Sequence, residues 1–285
     1  MPLKAEIIIN PLSGNYRKNK IDKLIKLIKT KFNDTAISYT NYAKHAELIA
    51  RNSKADILFV AGGDGLLNEV INGINNKECI VVPLACGTSN IFCREYNIPL
   101  NPLNALKKLD TENLSRLNIG KVNERLFCKV IGFGYDARVV NNLNYYLRRL
   151  NSKFAHMVSG VDVLLKDKFK PFHVYIKGNK VNAYTSIISI GKKYAGNYNL
   201  VKHVFYNGFT ICVINNSKRK AILKNFLSIL FKRGVLCDVY LYDSLQVVGI
   251  DYCQLDGEYF GLTNNRCEVT LLESNFFLAN FSDNN

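Results

Sequence analysis

Asp56-Ile57-Leu58-Phe59-Val60-Ala61-Gly62-Gly63-Asp64-Gly65-Leu66-Leu67-Asn68-Glu69-Val70-Ile71-Asn72-Gly73 is the stretch on which the fold turns. An apolar run ends in Gly62-Gly63-Asp64-Gly65, and Leu66, Leu67, Val70 and Ile71 follow at helical spacing. Strand, glycine turn and helix in that order are the repeating unit of an α/β fold. Glycine lets backbone come close to a ligand where a Cβ would obstruct it. The free N–H groups that open the next helix favour an anion such as phosphate. Asp64 places one carboxylate among the glycines, a group able to serve as acid, base or metal ligand. An ordinary strand–turn–helix corner is written the same way, and the stretch alone leaves both readings open.

Toward the N-terminus, Ala5–Asn10 is expected as a first strand, followed by the turn Pro11-Leu12-Ser13-Gly14-Asn15. Ile21, Leu24, Ile25 and Ile28 predict a helix over Lys20–Lys31, and Ala36–Thr40 and His45–Asn52 predict a strand and a helix. Past the opening stretch, Cys79–Pro83 reads as a fourth strand ending in Leu84-Ala85-Cys86-Gly87-Thr88-Ser89-Asn90, with helices at Ile91–Tyr96 and Pro102–Lys108. The alternation predicts a mainly parallel sheet covered on both faces. Beyond about residue 114 the rhythm changes. Strands are expected over Leu114–Val122, Arg125–Ile131, His173–Ile176, Ala183–Ile190, Phe209–Ile214, Cys237–Tyr242, Gln246–Gly249 and Arg266–Leu272, with helices at Asn141–Lys166 and Lys218–Lys232. That predicts a second, mainly antiparallel domain, a β-sandwich. The expected division is 1–117, completed by about 276–285, and 118–275.

At 285 residues and 48% apolar the chain suits one large or two medium folded domains. No apolar run approaches the roughly 18 residues that cross a bilayer, and the start is too short and too soon acidic for a signal peptide. The eight cysteines form no Cys-x-x-Cys pair and the four histidines are scattered, which argues against a zinc site or a disulfide framework and for buried thiols in a reducing cytoplasm. With 38 Lys+Arg against 23 Asp+Glu, the net charge of +15 predicts attraction to polyanions without choosing between nucleic acid, nucleotide and an anionic membrane. The basic, amphipathic Lys218–Lys232 is either a helix packed on the sandwich or one lying on such a membrane, and packing is the preferred reading.

Three glycine-containing turns, Asn10–Gly14, Gly62–Gly65 and Gly87–Asn90, are expected at the carboxyl ends of strands in one sheet, where open α/β folds bind ligands. Thr88, Ser89 and Asn90 offer short hydrogen-bonding side chains at a helix start, to cap it or to hold phosphate. No Walker phosphate loop, Gly-x-Ser-x-Gly elbow or His-Glu-x-x-His stands in the chain.

These segments, followed by Gly132-Phe133-Gly134-Tyr135-Asp136-Ala137 and Asp256-Gly257-Glu258, occur in an order that resembles the diacylglycerol kinase catalytic-domain family, which includes bacterial lipid kinases and the sphingosine and ceramide kinases. The resemblance spans nearly the whole chain. It implies an α/β class, with an N-terminal phosphofructokinase-like three-layer nucleotide-binding domain followed by the antiparallel sandwich. It also implies ATP- and magnesium-dependent phosphorylation of a lipid hydroxyl at a cleft between domains, by a cytoplasmic enzyme peripherally associated with the inner face of the membrane. The implied partners are ATP, a membrane lipid acceptor and an anionic membrane surface, with no nucleic acid; a homodimer is left open.

Residue by residue, Asn10, Thr40, Gly62, Gly63, Gly65, Leu66, Leu67 and Thr88 match positions that contact ATP in relatives, and Gly87 and Asn90 complete the neighbouring turn. Glu258 matches the proton acceptor of bacterial members, and Asp64 the acid proposed as base in sphingosine kinases. Asp136, with Tyr145, Tyr146, Leu147, Phe154 and Met157, is expected near the wall that chooses the acceptor, although the apolar members suit a core equally.

The chain departs from the family at several points. Leu66 stands where many bacterial members carry Thr, Asn118 where an acid is usual, Ala195-Gly196-Asn197 for Gly-Gly-Gly, and Asn207-Gly208 for Asp-Gly. Amide for carboxylate weakens a hard cation's site, so the structural metal of bacterial relatives is not expected, and no metal ligand is assigned. An NAD kinase, which shares Gly-Gly-Asp-Gly, is the second enzyme reading. A non-catalytic lipid or nucleotide sensor is the reading from another class, and a nucleic-acid binder ranks last.

Overall fold

The computed structural model describes residues 3–74, 77–143, 152–191, 193–194, 198–201, 208–230, 233–262 and 265–282. Along the chain run β1 (Ala5–Ile9), α1 (Lys18–Lys31), β2 (Thr35–Tyr39), α2 (His45–Asn52), β3 (Ile57–Gly62), α3 (Asp64–Gly73), β4 (Ile80–Ala85), α4 (Ile91–Glu95), α5 (Pro102–Lys107) and β5 (Leu109–Val122). There follow β6 (Arg125–Phe127), β7 (Val130–Gly134), α6 (Tyr135–Asn141), α7 (Ser152–Lys166), β8 (Phe172–Ile176), β9 (Asn179–Ala183), β10 (Thr185–Ser189), β11 (Lys193–Tyr194), β12 (Tyr198–Asn199) and β13 (Phe209–Ile214). The chain closes with α8 (Arg219–Leu230), β14 (Asp238–Tyr242), β15 (Ser244–Val248), β16 (Tyr252–Leu255), β17 (Glu258–Gly261) and β18 (Arg266–Phe281). It divides into two compact units, Met1–Leu117 with Glu273–Asn285, and Asn118–Leu272; β5 and β18 carry the chain from one to the other.

In the first unit the strands lie in the order β2-β1-β3-β4, all parallel, and the end of β18 pairs with β4 through Phe277–Ile80 and Leu278–Val81. β1, β3 and β4 are buried at every residue, as parallel strands covered on both faces must be. Right-handed crossovers put α1 on one face and α2 and α3 on the other, because the chain reverses direction across the sheet between β1 and β3. In keeping with this, α1 packs with α5, and α2 with α3. The α3 residue Glu69 accepts the backbone N–H groups of Lys44 and Ala46 at 2.9 and 3.1 Å, so it caps α2.

The second unit has an antiparallel sheet ordered β14-β13-β10-β7-β16-β17, and a further layer in which β18, β15, β8 and β9 pair in that order. Phe133 and Phe209 from the first, and Phe172, Val247 and Val269 from the second, share one buried cluster. That is the sandwich core. β10 is buried on both faces, because Ile187 also packs with Cys212, Leu200 and the α8 residue Ile229. α8 therefore uses its apolar face against its own unit, burying Ile222 and Ile229.

Several expected elements differ. The strand expected over Arg125–Ile131 is two, broken at Cys128 and Lys129, whose N–H groups turn to the Asp256 carboxylate. Ala183–Ile190 divides around Tyr184, whose carbonyl accepts from Tyr135 at 3.4 Å. The strand expected to stop at Leu272 runs on to Phe281. There buried Ser274 accepts from the Leu117 N–H at 3.0 Å and donates to the Phe276 carbonyl at 2.7 Å, so a polar step survives inside the strand. The single helix expected over Asn141–Lys166 is α6, beginning six residues earlier at Tyr135, and α7; Tyr145, Tyr146 and Leu147 lie outside the described residues. Phe154 and Met157, equally suited to a core, are 48% and 37% exposed. The hairpin β16–β17 lies outside the strands that the sequence predicts. Seven of the eight free cysteines are buried, and burial pushes the thiols of Cys79 and Cys93 up to about 12 and that of Cys86 to about 11.

Candidate functional site

The four parallel strands bring their carboxyl ends to one edge in the order β2, β1, β3, β4, and each end opens into a segment singled out in the sequence. Thr40 follows β2 and donates its N–H to Ile9 at 2.9 Å; Asn10 follows β1 and donates to Ala61 at 3.2 Å. Gly62–Gly65 follow β3, and Cys86–Asn90 follow β4. The reversal of strand order between β1 and β3 puts the Asn10 and Gly62–Gly65 turns where doubly wound sheets hold their ligands. Thr40 and Asn90 are buried, Gly65 is half-buried and Thr88 is exposed.

The turns are knit to one another. Cys86 and Gly87 donate their N–H groups to the Gly62 carbonyl at 2.9 and 3.0 Å. Asn15 reaches across from the first turn: its N–H donates to the Cys86 carbonyl at 3.0 Å and its Nδ2 to the Gly87 carbonyl at 2.6 Å. Asn10 closes its own turn, accepting from the Leu12 N–H at 2.8 Å. A Cβ on Gly14 would stand 2.5 Å from Thr88 Oγ1. Gly63 and Gly87 lie back to back, and a Cβ on Gly87 would run into the Gly63 Cα. The space that these two glycines leave is thus filled by backbone rather than kept open. Because both partners are main chain, neither can move aside. Gly87→Ala is expected to cost about 2 kcal/mol, lowering the thermal melt by roughly 5 °C; a melt that does not change would refute this packing.

Asp64 is the side chain that ties the second turn to the third. Its two carboxylate oxygens accept the N–H groups of Ile91 at 3.0 Å and Phe92 at 2.9 Å, the first residues of α4. The expectation that Thr88, Ser89 or Asn90 caps that helix is corrected here. Asn90 occupies the cap position with φ of 46° and makes no cap bond, and its carboxamide closes on Gly87 in both directions, at 3.0 and 2.8 Å. The cap comes instead from a carboxylate 27 residues upstream. Leu66 and Leu67 are both buried, and Leu66 folds over Gly62 where a Cβ would collide with it. Their side chains pack; what they offer at the edge is the backbone of the first turn of α3, where the helix dipole is positive.

The second unit gathers the other motif residues. Asp136, on the first turn of α6, is buried and accepts from Gln254 Nε2 at 2.8 Å and from the Tyr194 hydroxyl. Burial holds its carboxyl above the ordinary value against the opposing pull of those two donors. Burial and the Asp136 charge push the Tyr194 hydroxyl well above its own. The neighbouring Gly132 has to be glycine, since a Cβ there would overlap the Asp136 carboxylate. Gln254 in turn accepts the Gly257 N–H through Oε1 at 2.8 Å, so one buried carboxamide joins Asp136 to the Asp256-Gly257-Glu258 turn. Asp256 holds that turn from its other side. Its carboxylate takes the N–H groups of Cys128, Lys129 and Val130 at 2.7, 2.8 and 2.9 Å. Asp256 and Gly257 have φ of 50° and 90°, the left-handed pair of a tight hairpin turn. Glu258 leaves it with an exposed side chain. Gln254 and the clasping role of Asp256 escaped the sequence reading; the only trace is their place beside Glu258.

Among the described residues no group of three His, Cys, Asp or Glu is placed to hold a metal ion. Asn207 and Ala195–Asn197, where the family pattern is broken, lie outside them.

A doubly wound parallel sheet with its turns gathered on one carboxyl edge, followed by an antiparallel sandwich, is the class that the fold defines. Residues 4–122 match the family model of the diacylglycerol kinase catalytic domain. Diacylglycerol kinase from Staphylococcus saprophyticus subsp. saprophyticus is 33% identical over 172 residues, a match covering 58% of this chain and just 56% of that protein. Diacylglycerol kinase from Staphylococcus aureus strain JH9 is 29% identical over 280 residues, covering 92% of this chain and 88% of that one. The crystal structure of a diacylglycerol kinase from Bacillus anthracis str. Sterne shares the fold with a TM-score of 0.76 at 20% identity, over 99% of this chain and 97% of that one.

Proposed function

We propose that this protein is an ATP-dependent lipid kinase that phosphorylates a hydroxyl of a diacylglycerol-type lipid, working at the inner face of a membrane. The observation that carries the reading is the row of four strand-end turns on one sheet edge, two of them locked together by Asp64. Phosphoryl transfer asks for positioned phosphates and little else from a nucleotide site. Asn10, Thr40, the backbone from Gly63 to Leu67, and Thr88 would hold ATP. Magnesium, arriving with the phosphates, would neutralise their charge. Such a metal keeps most of its ligands as phosphate oxygens and water, which suits an edge whose Asp64 oxygens already accept two N–H groups.

Asp64, so engaged, is a positioning residue for the phosphate turn. Glu258, exposed beside a turn pinned by Asp256 and Gln254, is the better proton acceptor for the lipid hydroxyl. Asp136 is the acid assigned to the acceptor side. Among the described residues no helix is long and apolar enough to cross a membrane, and the acceptor would be met at a bilayer surface.

The deciding assay supplies purified protein, labelled ATP, magnesium and separate acceptors: diacylglycerol, sphingosine, ceramide and NAD. Labelled phosphatidate is expected, and Glu258→Gln should lower its rate about 100-fold or more at unchanged thermal stability. Transfer to NAD alone, transfer to no acceptor, or full activity in Glu258→Gln would overturn the proposal.

A further inference from the structure

α7 buries Ala155, Ser159, Gly160, Val163 and Leu164 against its own unit, and carries a second apolar face on the opposite side. Phe154, Met157, Val158, Val161 and Leu165 are 48%, 37%, 40%, 44% and 65% exposed. Their spacing of three and four residues lines them along one stripe. A soluble helix needs only one such face, so a second, contiguous one marks a surface with a partner.

The surrounding charges say which partner. The acids beside the stripe are engaged: Asp162 with Lys166 at 2.5 Å and with Asn142 at 2.9 Å, Asp167 with Arg138 at 3.5 Å. Lys168 and Lys170 follow the helix, both exposed. α8, whose Phe226 faces Gly160 of α7, adds exposed Arg219, Lys220 and Lys224, with exposed Lys218 just before it. An apolar stripe flanked by lysines fits the interface of an anionic bilayer, where apolar side chains enter the acyl boundary and ammonium groups meet phosphates.

We propose that the Phe154–Leu165 face of α7 docks this protein on an anionic lipid bilayer, with the helix lying in the plane of the interface. The assignment rests on the lipid-kinase reading for its purpose, but its test does not. The full chain is sedimented with vesicles of equal phosphatidylcholine and phosphatidylglycerol, and with vesicles of phosphatidylcholine alone. Binding to the anionic vesicles is expected, weakening with salt. The double variant Val161→Asp, Leu165→Asp should bind at least about 10-fold more weakly, while Leu100→Asp, at an exposed apolar site in the other unit, should bind as the parent does. Circular dichroism and a thermal melt check that each variant is folded. Transfer to a short-chain acceptor dissolved as monomer separates the two readings: it should be equal in parent and double variant, and its absence from both would fail the kinase reading while leaving the docking result intact. Failure of the parent to bind, or equal binding by the double variant, overturns the proposal. So does a dimer, seen by analytical ultracentrifugation, that the double variant loses while its vesicle binding stays.

Discussion

Asp256→Ala is expected to destabilise the second unit by about 4 kcal/mol, since each buried N–H left without its acceptor costs on the order of 1–3 kcal/mol and Asp256 serves those of Cys128, Lys129 and Val130. Cys128 and Lys129 lie at the break between β6 and β7, and Val130 opens β7. A second effect works in the same direction. Asp256 has φ of 50°, a conformation that Asp tolerates better than Ala. Asp256→Gly removes that strain but not the orphaned donors, so it should be less stable than the parent yet more stable than Asp256→Ala by roughly 1 kcal/mol. Asp256→Asn, which keeps one acceptor oxygen, should fall between the parent and both. Urea denaturation of the four proteins gives the order. An alanine variant within 1 kcal/mol of the parent would mean that water replaces the clasp. Phosphoryl transfer should fall with the same order, since the turn that carries Glu258 loses one of its two anchors.

Asp64→Ala is expected to reduce phosphoryl transfer at least about 100-fold, because a displacement near 1 Å at a phosphate-positioning loop is enough to cost that much. Its carboxylate joins the β3 turn to the start of α4, and its loss leaves the N–H groups of Ile91 and Phe92 without that acceptor. The comparison with Asp64→Asn separates positioning from proton transfer. Asn retains one oxygen for Ile91 or Phe92 but turns its NH2 toward the other donor. A positioning role therefore predicts graded losses, Ala worse than Asn, with the melting temperature and the KM for ATP moving in the same order. A base at this position predicts equal, near-complete loss of kcat in both variants, with an unchanged melt and KM. The second pattern would transfer the base from Glu258 to Asp64.

Sequence pattern carried the parallel half of the fold well because its signals are local. Three apolar runs end at glycine-containing or polar turns, and helical spacings follow them. Strand edges were hardest to place where a distant partner decides them. Nothing in Arg125–Ile131 foretells that a carboxylate some 127 residues onward will break it at Lys129. Ser274 reads as part of a polar turn until Leu117 is known to meet it. The site shows the same limit. Asn10, Gly62–Gly65 and Gly87–Asn90 follow from type and order, Thr40 from the family resemblance, and all lie on one edge. Their reasons differ from those the sequence offers. Gly63 and Gly87 make room for each other, Glu69 caps a neighbouring helix, and Asp64 caps another. Gln254 could not be found from pattern at all, since a glutamine in a strand carries no signal until both ends of its carboxamide have partners.

The long last strand has a consequence for how the chain is made. β4 is buried along its whole length, yet one of its two flanking partners is the Phe277–Leu278 segment of β18. Emerging from the ribosome, the first unit therefore waits with an apolar edge unpaired through the synthesis of all of Asn118–Leu272. Vectorial folding cannot finish domain by domain here. Until the closing strand arrives, that edge is a template for pairing with other nascent chains, which makes the interval a natural point for chaperone capture and sets the limit on where the gene can be cut for expression.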